Sequence, residues 1–241
     1  MSAPQHLKSL RREELVDFVK ENVRQLLEDE ALAVLDNPYV TPAICQAIAQ
    51  NQRLAGFYSV RLKLVENKHT PQAHAVKFVH YLYWSDLVRL SVNVMVSAPV
   101  RRAIETILVN KIDKLTLGER ISSAKRCSHA LIKALLFDPD PKVFEALLIN
   151  QRVREDDLLL VASSERASAA QLLLLANDRK WSYRYAIRKA LVMNPRTPRS
   201  AAASLLRSLT ARDLRLIHGN PHTTVYVRRC IERLQPAVYN S

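Results

Sequence analysis

The strongest constraint on the fold is an internal repeat. When the sequence is aligned with itself at a shift of 127 positions, residues 58–107 match residues 185–234 without a gap, and seventeen of the fifty positions are identical. Two unrelated segments of this length would share about three residues at typical amino-acid frequencies. We therefore expect two copies of a unit of about 127 residues, each built from smaller helical repeats.

Helix signals fill both copies of the repeat. The chain has only three glycines, and its apolar residues recur at intervals of three and four. Hydroxyl caps and capping-box spacings predict helix starts at Thr41/Pro42, Thr70/Pro71, Thr197/Pro198, Thr116/Glu119 and Thr210/Asp213. The pattern predicts helices at 9–35 (in one piece or broken), 42–51, 57–66, 71–83, 86–93, 98–109, 118–136, 141–149, 155–162, 167–177, 182–193, 198–208, 211–217 and 223–234.

Most of these helices would have only two or three turns, so they need neighbouring helices for stability. We therefore expect an all-α fold, an α-solenoid of HEAT-like helical repeats with the internal duplication of about 127 residues. An N-terminal helical cap at 1–36 would precede a first repeat unit at 37–127 and a second at 128–241, joined as one continuous domain.

A recurring dipeptide carries a family resemblance. A β-branched residue followed by arginine recurs within four of the predicted helices, at Val60/Arg61, Val100/Arg101, Ile187/Arg188 and Val227/Arg228. With the Asn-Pro and Thr-Pro turns, this pattern over residues 30–235 resembles the second helix of HEAT-type repeats and of the leucine-rich-repeat variant found in bacteria. The resemblance implies a solenoid, and such solenoids bind proteins, peptides, nucleic acids or lipids.

The formal charge of +13 is concentrated at the C-terminal end. Residues 179–241 contain thirteen lysines and arginines but only two acidic residues, Asp213 and Glu232, whereas residues 1–36 contain eight acidic and five basic residues. This asymmetry predicts an anionic partner for the basic end.

The candidate surface for that partner centres on Lys180, Arg184 and Arg188, whose spacing of four residues would place them on one helix face, with Trp181 and Tyr185 on the adjoining stripe. Cations beside aromatic rings suit phosphate contacts with base stacking. Arg229, Arg233 and Arg102 extend the predicted ligand-binding set.

The alternative is that these side chains serve the fold. Trp181 aligns with Leu54 in the first copy, which suggests a packing role. The first arginine of each duplicated pair, such as Arg61 or Arg188, could bond an acidic side chain or a helix-end carbonyl in a ladder between repeats. Arg102 and Arg229 are then freer to meet a ligand.

No catalytic constellation is recognisable, and we expect no cofactor and no enzymatic activity. Asp86 and Asp213 are duplicated, but each lies in the first turn of a helix, where a carboxylate is stabilised by the helix dipole. Alkylpurine DNA glycosylases are basic HEAT-like solenoids that use an Asp beside Trp residues, and Trp84-Ser85-Asp86 is the nearest match here. His218 and His222 lack a third ligand, so we expect no metal site.

The three cysteines, Cys45, Cys127 and Cys230, are predicted to be buried free thiols. The N-terminus lacks the features of a signal peptide, and no run of roughly eighteen apolar residues occurs, so a cytoplasmic protein is expected.

Three functions follow from these observations. The first is a non-enzymatic scaffold that binds a protein partner, because stacked helices form an extended groove. The second is binding of nucleic acid or another polyanion through the basic C-terminal quarter. The third is a HEAT-like DNA glycosylase. Convergence of the arginines on one groove would favour the second, and their dispersal or burial would favour the first.

Overall fold

The computed structural model describes residues 3–236, and its regular elements there are helical. Seventeen α-helices and two short 3-10 segments, Leu54–Gly56 and Ile112–Lys114, follow one another, and no strand occurs between residues 3 and 236. The all-α class is confirmed. The α-helices are α1, Ala3–Ser9; α2, Arg12–Asn22; α3, Glu28–Asp36; α4, Pro42–Gln50; α5, Tyr58–Glu66; α6, Gln72–Val79; α7, Trp84–Ser91; α8, Ala98–Lys111; α9, Leu117–Ala124; α10, His129–Leu135; α11, Pro141–Leu148; α12, Glu155–Ser163; α13, Ala169–Asn177; α14, Tyr185–Met193; α15, Arg199–Leu206; α16, Ala211–Gly219; and α17, Val225–Leu234.

The chain divides into two compact units between Asp113 and Lys114. In the second unit α9 packs against α10 and α11, which groups it with the helices that follow. This division differs from the boundary after residue 127 that we expect from the repeat.

Helices pack in succession within each unit. In the first unit α1 packs against α3 and α3 against α5, while α6 packs against α5 and α8. In the second unit α9, α11, α13, α15 and α17 each pack against the next, and α12 packs against α14. Each helix buries one apolar stripe, because a two-turn helix is stable only when its neighbours cover that stripe.

Asparagines at helix ends bind the turns to earlier helices. Asn194 donates through Nδ2 to the carbonyls of Ala162 and Ser164, at 2.8 and 3.0 Å, and its Oδ1 accepts from the Arg196 N–H at 2.9 Å. The same pattern, with one or two carbonyl acceptors, recurs at Asn37, Asn51, Asn67 and Asn150. These bonds satisfy carbonyl groups that a helix end leaves unpaired.

The predicted helix starts are confirmed in part. The hydroxyl of Thr41 accepts from the Ile44 N–H, and Thr116 forms a complete capping box with Glu119. At Thr197/Pro198 the helix begins only after the proline, so the cap prediction is wrong there. The Thr197 hydroxyl instead donates to the carbonyl of Leu191, at 2.6 Å. At Thr70/Pro71 the helix likewise begins after the proline.

Two long predicted helices are broken. The segment 118–136 forms α9 and α10, and the carbonyl of Ala124 at the break accepts a hydrogen bond from Asn150. The segment 9–35 likewise contains α2 and α3, and the carbonyls of Val23 and Arg24 between them accept from Asn51 and Arg53. Donors from later in the chain thus pair with the carbonyls exposed at each break.

The thiols of Cys45 and Cys127 are buried, and burial raises their pKa values to about 11 and about 12. Both are therefore protonated and unreactive at neutral pH. Cys230 is only partly buried, which differs from the prediction.

The longest α-helix between residues 3 and 236, α8, has 14 residues, and none of the described helices combines the length and hydropathy needed to cross a bilayer.

Candidate binding surfaces

The predicted helical face of Lys180, Arg184 and Arg188 is not formed. Residues 178–184 are not helical, with a turn at 179–183, and α14 begins only at Tyr185, so Lys180 and Arg184 precede the helix that carries Arg188. The Asp178 side chain accepts from the N–H groups of Lys180 and Trp181, at 2.9 and 3.0 Å, and holds the turn. A spacing of four residues places side chains on one face only in a continuous helix.

Trp181 belongs to the core of the second unit. Its side chain is 4% exposed, and the indole N–H donates to the carbonyl of Leu148 at 3.2 Å. The ammonium of Lys180 lies 4.3 Å from the centroid of the indole ring and covers it. The predicted role of Trp181 in stacking a base is therefore corrected, because a base needs an open ring face.

Tyr185 is held by hydrogen bonds to α16. Its hydroxyl donates to Asp213 and accepts from the N–H of Thr210 at 3.2 Å. Hydrogen bonds from Lys189 and Tyr185 lower the pKa of the Asp213 carboxyl. Tyr185 thus joins two helices, and its hydroxyl is not available to a ligand.

Arg184 and Arg188 have partners within the second unit. The Nε of Arg184 lies 3.8 Å from a carboxylate oxygen of Glu155, and the guanidinium of Arg188 lies 5.6 Å from the centroid of the Tyr185 ring. Arg228 donates to the carbonyls of Asn220 and Pro221. The Arg228 contacts agree with the alternative in which the first arginine of a duplicated pair bonds a carbonyl near a helix end.

Arg229 and Arg233 are exposed on α17, where a spacing of four residues places them on one face. The guanidinium of Arg199 in α15 lies 5.4 Å from the centroid of the Tyr226 ring, and Tyr226 is on α17. A hydrogen bond with Cys230 raises the pKa of Tyr226. We refer to the exposed arginines on or directly after these two helices, with Tyr226, as the α15–α17 basic face: Arg199, Arg207, Tyr226, Arg229 and Arg233.

The predicted ligand-binding residues of the second unit lie on different elements: Lys180 and Trp181 in the turn before α14, Arg184, Tyr185 and Arg188 at its start, and Arg229 and Arg233 on α17. Arg102 is exposed on α8, in the first unit.

Asp86, the nearest counterpart of a glycosylase aspartate, has both oxygens bonded within the first unit. One accepts from the hydroxyl of Tyr58, and the other lies 3.1 Å from the guanidinium of Arg89. The N–H of Tyr83 donates to the same Tyr58 hydroxyl at 3.2 Å. This network corresponds to the one of Tyr185, Asp213 and Thr210 in the second unit, so Asp86 is engaged in the same structural contact.

The Nε2 of His218 lies 2.9 Å from a carboxylate oxygen of Glu232, and His222 is exposed. Across residues 3–236, no three histidine, cysteine, aspartate or glutamate side chains come together as metal ligands would.

Sequence reasoning missed a groove in the second unit. It has a volume of about 430 Å³ and lies between the C-terminal ends of α12 and α14 and the turn after α16. Apolar atoms of Ala186, Ala190, Met193 and Pro195 line it, with Lys189, Glu165 and His222 among its polar neighbours. Met193 is 37% exposed. We call this the second-unit groove.

The first unit has a groove of about 420 Å³ at the corresponding place, beside α3, α5 and the turn after α7. Here Lys63 pairs with Asp36, and Glu66 pairs with Arg89 at 2.6 Å. Burial by itself would raise the pKa of Asp36, but hydrogen bonds from Lys63 and Lys8 lower this pKa below its ordinary value. The self-alignment contains the signal that was missed, because Lys63 and Glu66 align with Ala190 and Met193.

Comparisons with models of protein families, with curated proteins and with solved structures give no match to this chain.

Proposed function

We propose that this chain is a non-enzymatic scaffold, an α-solenoid of HEAT-like helical repeats formed by duplication, and that it binds a protein partner in the second-unit groove. The duplication is supported by the helix bounds. After a shift of 127 residues, α3, α4, α5 and α6 begin and end where α12, α13, α14 and α15 do. The solenoid is supported by the successive packing of helices within each unit.

The observation that carries the functional proposal is the apolar lining of the second-unit groove. Ala190 and Met193 occupy the positions of Lys63 and Glu66, so apolar groups replace charges that are paired in the first unit. Nothing in the packing of α14 requires an exposed methionine, and an exposed apolar cluster with a polar rim is typical of a protein-binding site. The partner is a protein segment that inserts an apolar side chain between α12 and α14.

Contacts of several predicted polyanion-binding residues within the second unit support the same conclusion. Trp181 is buried, Tyr185 is bonded to Asp213, and Arg184 lies beside Glu155. These three side chains are engaged in contacts within the second unit.

The test is quantitative affinity purification from the native cells with three variants. We expect one protein to be captured by the wild type and lost with Ala190→Lys and with Met193→Glu, because each puts an uncompensated charge into an apolar contact. Ala203→Lys, on α15 away from the groove, is the matched control and keeps the protein. A photo-crosslinking residue at position 190 should label that protein, and one at position 63 should not. Equal capture by all variants would contradict the proposal.

A second function is favoured by the α15–α17 basic face, which could bind a polyanion such as nucleic acid. The one acidic residue in α15 and α17, Glu232, is already bonded to His218. Phosphate binding through four arginines would weaken steeply with salt. The double variant Arg229→Glu/Arg233→Glu should then abolish binding to single-stranded RNA or DNA at low salt, whereas Lys180→Glu should not. A wild type that ignores both nucleic acids at low salt excludes this function.

A further inference from the structure

Besides its groove, the first unit contains a second cavity, of about 430 Å³, at a different place. It lies beside the C-terminal end of α4, the Leu54–Gly56 segment, α5 and α6. Phe78, Ala49 and Ala55 supply its apolar lining, and the polar residues at the same cavity are Gln50, Gln52, Arg61, His74, Lys77 and Tyr81. We call it the Arg61 pocket.

The polar lining of this pocket consists of donors for an anion. Arg61 and Lys77 carry full positive charges, and His74, Gln50 and Gln52 bear N–H groups. No carboxylate is among the lining residues. The first-unit groove differs in this respect, because there Asp36 and Glu66 neutralise the cations.

Arg61 is held in place without using its terminal nitrogens. Its Nε donates to the carbonyl of Ala55, and its guanidinium lies 5.0 Å from the centroid of the Tyr81 ring. Neither terminal nitrogen forms a hydrogen bond within the part of the chain that the structure describes. A guanidinium fixed at Nε and stacked on a ring keeps its other donors for a planar or tetrahedral oxyanion.

The second copy does not reproduce the pocket. Arg188 aligns with Arg61, but His74, Lys77 and Tyr81 align with Ala201, Ser204 and Ser208. A contact needed for the fold would be expected in both copies, as it is for the Tyr58 and Tyr185 hydroxyls. The basic lining is therefore specific to the first unit.

We propose that the Arg61 pocket binds a small organic phosphate monoester. Two cations and several neutral donors match a dianionic group with three terminal oxygens, whereas a single carboxylate would leave a cation unpaired. The apolar atoms of Phe78, Ala49 and Ala55 accommodate the organic part, and the volume lies within the usual range for small-molecule sites. This site goes beyond the proposed protein-binding function and does not depend on it.

The experiment is isothermal titration of the full chain with phenyl phosphate at low salt, with phenol as the uncharged control. We expect a dissociation constant on the order of 0.1 mM for phenyl phosphate and no binding of phenol. Lys77→Ala, at an exposed position, should weaken binding by about tenfold or more, because a charge-assisted hydrogen bond is lost. Arg61→Lys should do the same, and Arg188→Lys, the equivalent change in the second copy, should leave affinity unchanged.

Three results would overturn this proposal. They are no heat from the wild type up to millimolar phenyl phosphate, equal affinity of the wild type and Lys77→Ala, or loss of binding with Arg188→Lys. Co-sedimentation with phosphatidate vesicles distinguishes the source of the phosphate. Vesicle binding without phenyl phosphate binding would assign the surface to a lipid headgroup and contradict a small-molecule site. None of these readouts involves Ala190 or Met193, so the proposal fails or holds independently of the protein-binding function.

Discussion

In the first unit the groove beside Asn67 is lined by Lys63 and Glu66, which pair with Asp36 and Arg89, and by the exposed Met95. In the second unit the groove beside Asn194 has Ala190 and Met193 at the positions of Lys63 and Glu66. The backbone that forms the two grooves is equivalent, since α3 and α5 correspond in length and position to α12 and α14. Two charged side chains of the first groove are therefore paired, whereas the second groove has at those two positions apolar groups that a partner can cover.

The hydrogen bonds that occur in both units are those that fix the positions of the helices. Each has a tyrosine hydroxyl, of Tyr58 or Tyr185, that bonds an aspartate in the first turn of a later helix. Each also has an asparagine, Asn67 or Asn194, that bonds a carbonyl of an earlier helix end. The difference between the grooves shows that lining residues can change freely once these bonds fix the helix positions.

The largest expected effect on the free energy of unfolding comes from replacing Trp181, whose buried side chain lies just before α14. Trp181→Leu introduces the residue of the first copy, Leu54, but loses the bond to the Leu148 carbonyl and leaves a cavity. We expect the free energy of unfolding to fall by about 3 kcal/mol. Denaturant unfolding followed by circular dichroism measures it, with the exposed Tyr183→Leu as a control that changes little. An unchanged midpoint for Trp181→Leu would show that the indole is dispensable.

The asparagines test whether the same bond contributes equally in both units. Asn194 is buried and donates to two carbonyls, whereas Asn67 is less buried and donates to one, at 3.1 Å. We expect Asn194→Ala to lower the free energy of unfolding by about 2 to 3 kcal/mol and Asn67→Ala by about half as much. The same denaturant measurement applies. A larger loss for Asn67→Ala would reverse the comparison.

The tyrosine of the first unit gives a pH-dependent test. Burial, with the hydrogen bond to Asp86, raises the pKa of Tyr58 to about 12. A pKa raised in the folded state means that the contribution to stability is present below the ordinary tyrosine value of about 10 and is lost as pH rises towards 12. Tyr58→Phe should cost about 1 kcal/mol at pH 8. Its difference from the wild type should shrink between pH 10 and 12. A constant difference would show that ionisation of Tyr58 does not weaken the contact, and no difference at pH 8 would show that the hydroxyl contributes nothing.

The smallest effect on stability is expected from converting one groove into the other. Ser163→Asp/Ala190→Lys places the residues of the first-unit pair, Asp36 and Lys63, at their equivalent positions in the second unit. Because exposed ion pairs contribute little, the free energy of unfolding should change by about 1 kcal/mol or less. Capture of the protein partner should nevertheless be lost. Retained capture by this folded variant would show that the partner binds elsewhere.

The sequence by itself determined the all-α class, the positions of most helices and the capping of several of them. Local signals suffice there, because helix propensity, apolar spacing and caps such as Thr41 and Thr116 act within one or two turns. The self-alignment also identified Tyr58, Tyr185 and the aspartates as repeated. It did not show that these side chains meet, because the hydroxyl and carboxylate lie on different helices.

Only the tertiary structure decided where the long helices break and where the charges lie. The carbonyls of Ala124 and Val23 at the breaks accept hydrogen bonds from Asn150 and Asn51, which lie just after later helices, and no local signal encodes a bond across more than twenty residues. The same holds for the helix face that the sequence predicted for Lys180, Arg184 and Arg188. Lys180 and Arg188 share a face only in a helix, and Asp178 together with the buried Trp181 favours a turn instead. Side-chain direction therefore follows from hydrogen bonds and burial that form only when helices pack.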